Sequence, residues 1–209
     1  MSKKITQLNA VATPVEADVL AVVNDTETKK ITIGELLVTQ HPTNLVWNDL
    51  QIAATQFKSG VSLKPDFDFA EVGYAFDPAL DETIYITAQM PHAWAAGTDL
   101  KPHIHWMTQA AGDVVWQLEY RWTNVGEVAA VSFTSTTAWT PVFTWSSGML
   151  HNITSMGTIS GTGKSLSSML QIKVTRLGTD GADTYGIDAL MIEFDLHYQI
   201  DKLGSETEF

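Results

Sequence analysis

Cysteine is absent from this chain of 209 residues. Disulfides and thiolate chemistry are therefore excluded. Long apolar runs are absent too. None approaches the roughly 18 residues of a transmembrane helix, so no membrane insertion is expected. The leading MSKKITQLNA has lysines but no apolar core, and it does not read as a secretory signal. Charge is scarce, and positive charge is scarcer. Only 17% of residues are charged, with 12 Lys and Arg against 24 Asp and Glu, for a net charge of -12. Ordinary globular domains are about 25% charged. Most of the negative charge lies beyond residue 42. Such a surface repels phosphate backbones and anionic membranes, so nucleic acid is not an expected partner. The chain is still 44% hydrophobic. That combination points to large buried surfaces, as in an oligomer, and not to disorder.

Several catalytic signatures are also missing. MGTISGTGKSLSSML, residues 156–170, has the flavour of a phosphate loop, with Gly161, Gly163, Lys164 and Ser165. A P-loop reads G-x-x-x-x-G-K-[ST], which puts its first glycine at position 158, and that residue is Thr158. It also needs a helix starting at the lysine. Here Leu170, Ile172 and Val174 alternate as in a strand. Ser160 to Ser168 reads as a loop between two antiparallel strands, so nucleotide binding is not expected. No G-x-S-x-G elbow occurs. The acidic stretches Pro65–Glu71 and Asp180–Asp183 lack EF-hand spacing, and solvated turns are the reading for both.

What is present is alternation with period two. In Val114–Trp122, one face carries Val114, Trp116, Leu118, Tyr120 and Trp122, and the other carries Val115, Gln117, Glu119 and Arg121. In residues 190–201, Ile192, Phe194, Leu196, Tyr198 and Ile200 face one way, with Glu193, Asp195, His197 and Gln199 opposite. Both are half-buried strands. Further strands are expected at Thr83–Gln89, Leu100–Met107, Ala129–Thr137, Val142–Ser146, Asn152–Ile159 and Leu170–Arg176, with a short one at Tyr74–Phe76. Turn residues separate them. The expected fold is all-β: a jelly-roll-like antiparallel β-sandwich over residues 43–203, with a C-terminal tail at 204–209. Residues 1–42 form a separate small module. Asp18–Asn24 and Lys29–Ile33 make a hairpin, 34–39 a helical turn, and 41–44 a linker. A hairpin that small is not stable alone and must dock on something.

Lys101–Pro102–His103–Ile104–His105–Trp106 is the most distinctive segment. In a strand, His103 and His105 share a face. Two such histidines can bind one metal when a third ligand arrives, and His197, on a face with Glu193 and Asp195, is the candidate. The plainer reading keeps these histidines hydrogen-bonded in the interior or at a subunit interface, with no cofactor. His92 lies in the preceding loop. Trp94, in the loop Pro91–Gly97, is the candidate exposed platform for a glycan; the remaining tryptophans are expected in core or interface.

These segments carry a resemblance. Lys4–Ile5–Thr6–Gln7–Leu8, then Asp18 to Asp25, then Thr28 to Ile33 resemble the short N-terminal attachment module of tailed-bacteriophage appendages. Trp47–Asn48–Asp49–Leu50, Pro91–His92–Ala93–Trp94, Lys101 to Trp106, and Phe194 to Asp201 with Gly204–Ser205 resemble body motifs of tailed-phage and prophage proteins. Together they span nearly the whole chain. The resemblance implies a non-enzymatic virion structural protein: a homotrimeric head fibre or capsid decoration assembled in the bacterial host cytoplasm. It leaves head against tail open and brings no catalytic residues. Ile5, Leu8, Val19, Leu20, Val22, Ile31 and Ile33 are then the expected particle-attachment residues, and other virion proteins, of capsid or tail, are the partners. His103, His105 and His197 suit a trimer interface, where histidines of symmetry-related copies meet around an axis. The rival readings are a tail-associated fibre or adaptor, a surface module binding a host glycan through Trp94, and a metal-dependent enzyme using His103, His105 and His197.

Overall fold

The computed structural model describes residues 19–23, 28–32, 45–135, 146–201 and 204. The chain divides into two compact units, Met1–Leu45 and Val46–Phe209. In the first, β1 (Val19–Val23) pairs antiparallel with β2 (Thr28–Thr32), with Val19 opposite Thr32 and Val23 opposite Thr28. The expected hairpin is there, built from β-branched residues that suit extended backbone. Of the expected attachment residues, Val19 is exposed. Leu20, Val22 and Ile31 lie in the two strands. Ile5, Leu8 and Ile33 lie outside the described residues, as do 34–39, the linker 41–44 and the tail from residue 205.

The second unit is a sandwich. Its strands are β3 (Val46–Ala53), β4 (Lys58–Ser59), β5 (Asp66–Asp68), β6 (Gly73–Phe76), β7 (Asp81–Gln89), β8 (Lys101–Thr108), β9 (Trp116–Thr123), β10 (Thr134–Ser135), β11 (Leu150–Ser155), β12 (Met169–Leu177) and β13 (Ala189–Ile200). One sheet runs β10-β9-β12-β7-β4; the other runs β11-β8-β13-β6-β5, with β3 also on β13. Every pairing among the described residues is antiparallel. From β7 onward the chain crosses repeatedly between sheets, the connectivity expected of a jelly roll.

Period-two alternation builds the core. Trp116, Leu118 and Trp122 of β9, Leu170, Ile172 and Val174 of β12, and Ile84, Ile86 and Ala88 of β7 point inward from one sheet. Ile104 and Trp106 of β8 and Phe194, Leu196 and Tyr198 of β13 answer from the other. Trp116 packs edge-on to Phe76 at 5.0 Å and to Trp106 at 6.1 Å. Each such side chain buried is worth about 1.5–3 kcal/mol of transfer free energy.

Some expected strands differ. β9 starts at Trp116, although Val114 and Val115 are buried. The strand expected at Ala129–Thr137 shortens to Thr134–Ser135 within the described residues, because 126–132 is exposed; Val128 and Val131 are almost fully open. Residues 142–145 lie outside the described residues. β11 stops at Ser155 because Gly157 turns into the left-handed region at φ 83°, and Ile159 only bridges to Leu100. In β13 the inward phase slips. Met191 is fully buried, Ile192 is partly open and Phe194 is buried again. The pairing with β8 shifts register between Met191 and Glu193, so an extra residue re-aims the strand there. Among the described residues, no helix is long and apolar enough to cross a membrane.

Candidate functional site

The polar outer face of the β11-β8-β13-β3 ribbon holds the histidines. Antiparallel register aligns them in rows. Ser155, His103, Asp195 and Gln51 stand across four strands; Ile153, His105 and Glu193 form the next row. His197 stands between Lys101 and Asp49. Alternation puts His103 and His105 on this face while Ile104 and Trp106 enter the core, as expected. The rows surround a cleft of about 410 Å³ lined by Asp49, Gln51, Lys101, His103, His105, Ile153, Ser155, Asp195 and His197.

The cleft floor is tight. His103 Nε2 lies 3.0 Å from His105 Nε2, and each lies 3.2 Å from Asp195 Oδ2. His105 Nδ1 meets His151 Nε2 at 2.7 Å. His197 Nε2 meets Asp49 Oδ1 at 2.8 Å, and the His197 ring stands edge-on to His103 with centroids 4.3 Å apart. Asp195 is 3% exposed and His103 is 7% exposed, although both leave the sheet on its outer side. The second carboxylate oxygen, Asp195 Oδ1, is buried with no donor other than the Glu193 carboxyl.

Burial, then the nearby His197 and His105, push the His103 imidazole below its ordinary pKa. The ring is therefore neutral at pH 7 and offers one lone pair. Burial, then the charge of Asp195 and a side-chain hydrogen bond to it, push the Glu193 carboxyl upward. A second titratable group thus crowds the same anion. The arrangement presents imidazole nitrogens and carboxylate oxygens to one point, which is the donor set of a divalent transition metal.

The sequence brought forward His103, His105 and His197, and the structure gathers all of them. It missed His151 and Asp49. His151 precedes the strand expected from Asn152. Asp49 sits on β3, whose Val46-to-Ala53 run lacks a clean alternation of burial. His92 is elsewhere, with Nε2 at 2.8 Å from Ser167 Oγ.

Trp94 corrects an expectation. It is fully buried, so it is no exposed stacking platform. Its turn folds over the end of the sandwich. Ala95 N donates to Gln199 O, the indole N–H donates to Thr98 Oγ1 at 2.9 Å, and the ring packs 5.4 Å from Trp122. The phosphate-loop-like segment is likewise spent on packing. Lys164 Nζ donates to Trp122 O at 2.9 Å, and Ser165 N donates to Asn124 Oδ1 at 3.0 Å. The segment is a loop, as expected, and it joins β11 of one sheet to β12 of the other. Asp183 is not solvated either. It forms a buried bidentate pair with Arg176, through Nε at 3.0 Å and a terminal nitrogen at 2.8 Å.

No protein-family model and no curated protein matches the chain. The fold is an antiparallel β-sandwich. Among solved structures it is similar to the isomalto-dextranase of Arthrobacter globiformis T6 complexed with panose, at a TM-score of 0.37 and 12% identity over 71% of this chain. The chain spans only 23% of that protein's length. It is also similar to TmCBM61 in complex with beta-1,4-galactotriose, at a TM-score of 0.32 and 7% identity, over 79% of this chain and 94% of that one.

Proposed function

We propose that the chain is a non-enzymatic structural protein of a tailed-phage virion, a trimeric head fibre or capsid decoration anchored by its N-terminal hairpin. The observation that carries this reading is the division into a two-stranded unit and a separate sandwich. A lone two-stranded hairpin is marginal in water, and a larger surface is what makes such a unit useful. The attachment-module motifs Asp18–Asp25 and Thr28–Ile33 overlap its two described strands, Val19–Val23 and Thr28–Thr32. The low charge of the chain suits copies that bury surface against one another. A glycan-binding role through Trp94 loses its platform, since that indole is enclosed.

Deleting residues 1–42 tests the anchor. The truncated protein is expected to remain soluble and folded and to be lost from purified particles. Truncated protein loading on particles at wild-type occupancy overturns the assignment.

A further inference from the structure

The geometry points to a divalent transition-metal site, with Zn²⁺ the best match, held by His103 Nε2, His105 Nε2 and Asp195 Oδ2. It goes beyond the structural role proposed above and stands whether or not the protein belongs to a virion.

The first support is the triangle itself. Its edges are 3.0, 3.2 and 3.2 Å. Ligand atoms placed tetrahedrally at about 2.0–2.1 Å from Zn²⁺ lie about 3.3 Å from one another. The three donors therefore stand at nearly the spacing a shared ion imposes.

The second support is proton arithmetic. A neutral imidazole carries one N–H and one lone pair. Suppose His105 Nε2 carries its proton and His103 Nε2 does not. The His103 lone pair then faces a carboxylate oxygen 3.2 Å away. Suppose both carry protons. Two N–H groups then stand side by side at 3.0 Å. In each case one edge of the triangle is repulsive. A cation at its centre turns all three edges into ordinary ligand–ligand separations.

The third support is independent. Asp195 Oδ1, in a residue only 3% exposed, is buried with no donor other than the Glu193 carboxyl, which can donate only when protonated. An orphaned buried carboxylate oxygen is costly unless a charge compensates it.

The surroundings match a metal centre's outer partners. Coordination through His105 Nε2 leaves the proton on Nδ1, which then donates to His151 Nε2 at 2.7 Å. Metal-bound histidines usually donate their other ring N–H to such a partner. His197 supplies a fourth donor, with one ligand atom within 4.8 Å of those of His103 and Asp195. Asp49 orients that ring. The ion would tie β8 to β13 at the floor of the cleft.

The test uses the full, untagged chain freed of metal by dialysis against chelator and titrated with ZnCl₂. Calorimetry is expected to give one ion per chain with Kd tighter than about 10 μM, as a preformed three-ligand site implies. The melting temperature is expected to rise with added Zn²⁺. Co²⁺ should give the visible d–d absorption of a four-coordinate ion. Asp195→Asn keeps the shape and is expected to weaken binding at least about 100-fold, more than the 10–100-fold set by an outer partner such as His151→Ala. Because Asp195 is buried, His105→Gln, nearer the surface, serves as a second ligand variant. His92→Gln lies outside the cluster and should bind as wild type does. Zn²⁺ binding weaker than about 10 μM or well below one per chain, or equal affinity in the wild type and both ligand variants, overturns the site.

Discussion

Arg176 shows what alternation implies when a charged residue falls in the inward phase. The period that buries Leu170, Ile172 and Val174 buries Arg176 as well. Its guanidinium grips Asp183 and donates to the carbonyls of Phe76, Ile187 and Tyr185. One side chain thus closes the 178–188 loop onto β6 and β12. The strand around Arg176 was readable from its neighbours. Its partner was not, because Asp183 sits among turn residues that look solvated, and a loop's path over the core is set by tertiary contacts. Breaking a buried pair leaves an uncompensated charge, which costs about 3–5 kcal/mol. Asp183→Ala is expected to lose that much in urea unfolding. A loss below about 1 kcal/mol, the range of an exposed pair, shows that the loop holds itself. The histidines follow the same logic. The i, i+2 spacing on β8 placed His103 and His105 on one face. Asp49 joins them only through the β3–β13 register, which no local pattern encodes.

At the scale of elements, long strands were legible and short ones were not. β7, β8, β12 and β13 carry clear apolar alternation, so their existence follows from sequence. β4, β5 and β10 are only two or three residues long and exist because a neighbour offers a partner. The turn Pro91–Gly97 misled for a related reason. Its loop-like residues suggested exposure, but the fold lays it across the sandwich end. Trp94 then plugs the core beneath Gly161, where an added Cβ would run into the Thr98 carbonyl and meet the Trp94 ring at 2.9 Å. Glycine is the residue that lets the two loops close this near. Removing a buried Trp costs about 3–5 kcal/mol. Trp94→Ala should therefore lower the urea midpoint by that equivalent. An unchanged midpoint indicates an indole that does not seal the core.

For the molecule as a whole, composition constrains how copies meet. With a net charge of -12, each chain repels its sisters. Association must come from apolar and hydrogen-bonding surface. Leu45, Val46 and Trp47 are 39%, 43% and 51% exposed around the start of β3, and β3 pairs only with β13 among the described residues. An open edge beside exposed apolar residues is a surface a second chain can use. The trimer proposed above then has a definite salt signature. The screening length is about 8 Å at 150 mM ionic strength and about 30 Å at 10 mM. Acidic copies held together by neutral contacts feel each other's charge more at low salt. Sedimentation of the full chain is expected to give three times the chain mass at 150 mM and partial dissociation at 10 mM. The chain lacking residues 1–42 should behave the same way, because the hairpin's proposed role is to grip the particle, while the sandwich supplies the contacts between copies. A single-chain mass at both salts removes the trimer and, with it, the reading of a projecting fibre.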